Sequence, residues 1–182
     1  MPFIKTEIEG LLIFEPKVFE DSRGYFFESY NEQTFVDAGI NCRFVQDNQS
    51  RSTFGVIRGL HYQAPPFGQT KLVRAIEGRI LDVAVDFRKG SPTYGHHVAV
   101  ELSSDNRRQL LVPVGFAHGF SVLSEFATVL YKCDNVYNKQ SEGGLRYNDP
   151  QLNIDWQIPP DSAVVSEKDL LQPLFAVAKT PF

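Results

Sequence analysis

The sequence predicts an all-β domain, a sandwich or barrel with a few short helices. Turn signals recur at short intervals, among them Asp21-Ser22-Arg23-Gly24, Ala64-Pro65-Pro66-Phe67-Gly68, Lys89-Gly90-Ser91-Pro92 and Gly143-Gly144. Between them lie short β-favouring runs in which apolar and polar residues alternate, the pattern of strands with one buried face. The third observation is the aromatic content, 15 Phe, 7 Tyr and 1 Trp in 182 residues, which suits an all-β core or an aromatic-lined pocket. Short strands at regular spacing argue for a two-layered or closed sheet.

In chain order, the first element is a helical turn over residues 31–38, with Asn31 as N-cap and Gly39 closing its C-terminus. Strands follow at 72–76 and 79–86; in the second of these Ile80, Asp82, Ala84 and Asp86 fall on one face. Further strands are expected at 97–102, 109–113, 119–123 and 127–133, and a short helix around Ser166–Leu171. There is no internal repeat, low-complexity tract or linker. Residues 1–182 therefore read as a single domain, long enough to bury its own core, with N- and C-terminal segments appended to it.

Composition removes several functions. Twenty-two acidic residues against 18 basic give a net charge of −4, which argues against a nucleic-acid partner, since phosphate binding needs a basic surface. Cys42 and Cys133 lack CxxC spacing and read as reduced thiols. The first ten residues carry Lys5, Glu7 and Glu9 rather than an apolar signal core. No run approaches the roughly 18 apolar residues of a membrane span. A soluble cytoplasmic protein without membrane contact is the expectation.

The chemistry concentrates in Arg58-Gly59-Leu60-His61-Tyr62-Gln63. His61 can take and give a proton near neutral pH, and Arg58 suits an anionic group such as phosphate. Pro113-Val114-Gly115-Phe116-Ala117-His118 has the Pro-x-Gly-x-x-His spacing of the second cupin motif, although an ordinary hairpin with a buried histidine would read the same way. A metal-binding cupin needs a first motif with two histidines one residue apart. Here Gln63 stands at that place, a poor ligand for transition metals, and the adjacent His96 and His97 point to opposite faces of a strand. His61 and His118 alone are too thin a set for zinc or iron, so no metal is expected and both are read as acid–base groups.

Lys71 is either an oxyanion stabiliser or a solvated strand-end lysine. Tyr131, in mid-strand, is either a packed aromatic or a phenolic acid aimed into the barrel. Asp169 by spacing is a helix-cap or surface carboxylate; it matters to catalysis only if it orients His61. Segments 21–28 and 46–50 mix polar groups with aromatics, a combination that suits a nucleotide but also describes a turn followed by a strand.

Taken together, the segments resemble the dTDP-4-dehydrorhamnose 3,5-epimerases. The likeness runs from about Phe14 to Lys179, through Asp21-x-Arg23-Gly24, Phe27-Glu28, Phe44-Val45-Gln46-Asp47-Asn48, Arg58-Gly59-Leu60-His61-Tyr62-Gln63, Lys71-Leu72-Val73-Arg74, Gly115-Phe116-Ala117-His118-Gly119-Phe120, Tyr131-Lys132, Asn148-Asp149-Pro150 and Ser166-Glu167-Lys168-Asp169. The order and spacing of these segments together are specific. The resemblance implies a cupin-type jelly roll, a homodimer and no metal or other cofactor. It implies epimerisation at C3 and C5 of dTDP-4-dehydro-6-deoxy-D-glucose, toward dTDP-L-rhamnose. His61 would be the base, paired with Asp169; Lys71 would stabilise the enolate at O4, and Tyr131 would return a proton from the opposite face. Arg23, Glu28, Gln46, Asn48, Arg58, His118, Glu142 and Lys168 would contact the dTDP-sugar, with Tyr137 or Phe26 stacking on thymine. A single-carbon epimerase of an antibiotic pathway would use the same residues and is the alternative reading.

Overall fold

A computed structural model describes residues 2–182. Two antiparallel sheets enclose the main core. The first runs β1 (Phe3–Lys5), β2 (Leu12–Phe14), β10 (Gln109–Val112), β7 (Lys71–Glu77), β12 (Phe126–Cys133) and β5 (Gln46–Thr53), in that spatial order. The second runs β13 (Glu142–Gly144), β6 (Val56–Gln63), β11 (Phe116–Val122), β8 (Arg79–Asp86) and β9 (His97–Ser103), with β14 (Val164–Val165) added in parallel to β6. The chain passes repeatedly from one sheet to the other, a jelly-roll arrangement. A separate hairpin, β3 (Phe19–Asp21) with β4 (Gly24–Phe26), stands out from both sheets with exposed Phe19, Tyr25 and Phe26.

The alternation seen in the sequence accounts for the inner faces. Val73 and Ala75 of β7 and Ala127 and Val129 of β12 meet Ile80 and Ala84 of β8 and Phe116 and Phe120 of β11 in one buried cluster. Strand β8 departs from a one-faced pattern, because every residue from Ile80 to Asp86 is buried. Its outer residues Leu81, Val83 and Val85 are covered by Leu145, Leu152, Trp156 and Phe175. The C-terminal segment is thus a third layer over the second sheet rather than an appendage. Trp156 anchors it, donating Nε1–H to the Tyr147 carbonyl at 2.8 Å, while its own carbonyl accepts from Ser121 Oγ at 2.7 Å.

Helix α1 (Glu32–Asp37) covers the other outer face, setting Phe35 against Phe14, Leu72 and Leu111. Asn31 caps it as expected, accepting from the Gln33 and Thr34 amides. Ala38 is the C-cap, and Gly39 follows it at φ +81°. Helix α2 (Glu167–Leu170) is a single turn whose N-cap, Ser166 Oγ, accepts from the Asp169 amide. No helix among the described residues is long and apolar enough to cross a membrane. Both cysteines are free thiols.

One local distortion positions the chemistry. The β6–β11 register pairs His61 with His118 but then slips between His118 and Phe120. At the slip, Gly59 has φ +134°, and a Cβ there would lie 2.5 Å from Gly119 Cα. Only glycine permits both the conformation and the close approach.

Candidate active site

A cavity of about 460 Å³ opens between the two sheets, lined by Arg58, His61, Lys71, His118, Tyr131, Lys168 and Asp169 among others. His61 enters from β6 in one sheet; Lys71 and Tyr131 enter from β7 and β12 in the other. The structure therefore brings together the four candidate catalytic groups, which are spread over 109 positions from His61 to Asp169 in the chain.

His61 Nε2 lies 2.6 Å from Asp169 Oδ1. A carboxylate only accepts, so Nε2 carries the proton and the lone pair sits on Nδ1, free to act as a base. Asp169 is buried. Its second oxygen accepts from the Gly59 amide at 3.4 Å, so the glycine at the β6 slip also steadies the acid. Burial raises the Asp169 pKa, but the bonds from His61, Gly59 and Ser166 outweigh it and hold the carboxyl below its ordinary value. Of the positions sequence left open for Asp169, the structure has it buried and hydrogen-bonded to the imidazole.

Lys71 makes no ion pair among the described residues. Burial lowers its pKa, partly opposed by Cys133, Asp82 and Glu142, so the ammonium is held close to several acids but committed to none. Burial raises the Tyr131 pKa, with Cys133 adding to the rise and Arg58 opposing it. Its phenol stays protonated and can donate.

His118 is buried, with Nε2 2.9 Å and 3.1 Å from the two oxygens of fully buried Asp82. In the sequence Asp82 falls on one face of β8 with Ile80, Ala84 and Asp86 and has no assigned role. An acid in the middle of an apolar strand is the signal that it has a buried partner. Arg58 is steered by Ser52, whose Oγ accepts from Nε at 3.1 Å. Asn48 bonds to Cys133 Sγ, and Gln46 donates to Asn48 Oδ1, a polar file along β5. At the rim, Glu142 accepts from both Lys168 and the Tyr137 hydroxyl; burial raises its pKa, but these two partners bring it below the ordinary value.

Of the predicted contacts, Arg58, His118 and Lys168 line the cavity, Gln46, Asn48 and Glu142 do not line it but bond to its neighbours, and Arg23 and Glu28 stand apart within the single chain. Arg23 forms an exposed ion pair with Asp21 on the β3–β4 hairpin, and Glu28 accepts from Asn31 at the start of α1. Neither lines the cavity. Phe26 is exposed on the same hairpin. Gln63, read in sequence as a failed metal ligand, is buried and fully hydrogen-bonded to backbone.

A jelly roll whose interior presents a carboxylate-backed imidazole, an ammonium and a phenol to one cavity defines a cupin-like enzyme built for proton transfer. The chain belongs to the dTDP-4-dehydrorhamnose 3,5-epimerase family, whose model matches residues 5–176. It is 54% identical over 171 residues to the dTDP-4-dehydrorhamnose 3,5-epimerase of Shigella flexneri, covering 93% of each chain. Among solved structures, the enzyme of that name from Elizabethkingia anophelis is 53% identical, with a TM-score of 0.93 over 96% of both chains. A dTDP-6-deoxy-D-glucose-3,5-epimerase from Legionella pneumophila, in complex with dTDP-4-keto-L-rhamnose, is 48% identical, with a TM-score of 0.93 over 97% of this chain and 94% of that one.

Proposed function

We propose that this chain is an isomerase that epimerises C3 and C5 of dTDP-4-dehydro-6-deoxy-D-glucose, giving dTDP-4-dehydro-L-rhamnose. The observation that carries the reading is the convergence of His61 and Tyr131 from facing sheets on one cavity. Inverting a carbon requires removing a proton from one face and returning one to the other, so a single group cannot do both.

His61 Nδ1 takes the proton from C3, which is acidic because it lies α to the C4 ketone. The C–H electron pair moves into an enolate whose charge falls on O4. Lys71 stabilises that oxyanion from within the low-dielectric cavity. Asp169 stabilises the imidazolium that results, without taking its proton. The Tyr131 hydroxyl then delivers its proton to the opposite face of the carbon, and solvent restores both groups. The same sequence at C5 completes the reaction. No cofactor is needed, since both steps are proton transfers.

For the nucleotide, Arg58, Lys168 and His118 offer cationic and donor groups at the cavity, and Gln46, Asn48 and Glu142 lie beside it. Tyr137 is the aromatic best placed for the thymine, because its hydroxyl joins Glu142 and so Lys168. Arg23 and Glu28, with Phe26, would reach substrate from a second copy. A homodimer in which each hairpin serves the partner's cavity gives these exposed groups a use. The reading extends to a single cupin-like domain over 1–182, working in the cytoplasm on the rhamnose donor for cell-surface polysaccharide, without nucleic-acid or membrane partners. The test is incubation with dTDP-4-dehydro-6-deoxy-D-glucose and a 4-ketoreductase as trap. dTDP-L-rhamnose is the expected product; a sugar inverted at one carbon only would replace this reading with the monoepimerase one.

A further inference from the structure

The position where a metal-binding cupin would carry its second histidine is instead a buried amide with every hydrogen-bonding group in use. Gln63 Nε2 donates to the Phe67 carbonyl at 2.7 Å and to the Val136 carbonyl at 3.2 Å, and Oε1 accepts from the Asn138 amide at 2.6 Å. Those partners lie in two different loops, 64–70 and 134–138. The loops are knitted further by Asn135, which donates to Pro66 and Gly68, and by Gln69, which donates to the Asn135 carbonyl. A second amide, Gln46 Oε1 on the first sheet, accepts from the Tyr137 N–H at 3.1 Å. In the β13–β6 ladder, Gln63 sits directly opposite Glu142.

We propose that Gln63 is a positioning residue for substrate binding: its amide clamps the loop that follows β12 against the proline loop and so fixes Tyr137 and Glu142 at the rim, where they take the nucleoside diphosphate end of the substrate. A neutral histidine has one ring donor and one acceptor, so it cannot satisfy three backbone groups at once. Glutamine can, which gives this cupin a reason to place glutamine there. The clamp acts on binding rather than on the proton transfers, because the loop it holds carries none of the four groups that handle protons. The inference rests on the function proposed above.

The test is a double-mutant cycle on Gln63→Met and Tyr137→Ala, read by KM, kcat and the Kd for dTDP. Methionine keeps the volume and leaves all three backbone groups unpaired. Gln63→Met is expected to raise KM and the dTDP Kd about tenfold with kcat within about threefold. In that background Tyr137→Ala should add little, because the ring is no longer held. Gln63→His, which offers one ring donor and one acceptor in place of three bonds, should fall between and serves if the methionine variant does not fold. Faster hydrogen exchange at the Asn138 amide in either variant reports the released loop directly. A variant that folds with unchanged KM, or a Tyr137→Ala penalty as large with Gln63 altered as without, overturns the clamp. Failure of the underlying function would show separately, as wild-type protein that neither binds dTDP nor turns over the 4-keto sugar.

Discussion

Replacing Asp169 by asparagine separates orientation from charge at the proposed base. The carboxamide could still accept from the Gly59 amide through its one oxygen, as Asp169 Oδ2 does at 3.4 Å. Its NH2 group would then occupy the place of Oδ1, 2.6 Å from His61 Nε2. An NH2 donates, so Nε2 must become the acceptor and the ring proton moves to Nδ1, the atom that should attack the substrate proton. Two costs follow. Loss of a charge-assisted hydrogen bond of about 1.5–3 kcal/mol lowers kcat about 10- to 160-fold at roughly 1.4 kcal/mol per decade. Inverting the tautomer carries the loss toward the ~10⁴-fold seen when a carboxylate behind a catalytic histidine becomes an amide. We expect kcat to fall by about 10² to 10⁴, with KM nearly unchanged, in an assay coupled to a 4-ketoreductase. The Asp169 pKa is depressed in the folded protein, so its stabilising contribution is full above the ordinary carboxylate value and is lost as pH falls through the folded one. The stability difference between Asp169→Asn and wild type should therefore shrink when denaturant melts are moved from pH 7 to below the ordinary value of 3.8. A variant with kcat within threefold of wild type would refute the dyad.

Three further outcomes follow from the same geometry. Burial lowers the Lys71 pKa and raises that of Tyr131, so the rate should decline on the alkaline side first through loss of the Lys71 ammonium, below the ordinary lysine value of 10.5; Lys71→Arg should move that limb upward in a pH–kcat profile, and an unmoved limb would assign it elsewhere. Tyr131→Phe removes the returning proton but leaves the base, so substrate should still wash in solvent deuterium while inversion slows by about 10²–10⁴; equal loss of exchange and inversion would contradict the division of roles. Asp82→Ala leaves the His118 ring N–H buried without its partner and should cost about 1–3 kcal/mol in urea melts, whereas a change under about 0.5 kcal/mol, no more than an exposed pair is worth, would mean the hydrogen bond carries little.

The strands legible in the sequence are those with apolar residues on the inward face, such as β7 and β12. Strand β5 is hidden because its more buried positions are Gln46, Asn48, Ser50 and Ser52; Gln46, Asn48 and Ser52 are held by side-chain hydrogen bonds and Ser50 lines the cavity, so the usual apolar alternation is absent. Strand β6 reads as a motif rather than a strand, since Arg58-Gly59 interrupts its pattern where the register slips. The N-cap of α1 is local and legible, whereas the cover over β8 depends on Trp156 and Phe175 folding back from a distant segment. In the site, His61 and Arg58 stand out by residue type alone. Asp169 does not, because its partner lies 108 positions away, and only the resemblance to known epimerases pairs them. The role of Gln63 is inverted: a side chain notable in sequence for the metal it would not bind is occupied by backbone from two loops.

The most direct measurement is the number and position of deuterons incorporated when wild-type enzyme converts dTDP-4-dehydro-6-deoxy-D-glucose in heavy water and the product is trapped by reduction. Label at both C3 and C5, abolished by His61→Ala, is the expected result. Product inverted at both carbons without label from solvent at either, or full labelling by the His61→Ala variant, would contradict proton exchange through His61.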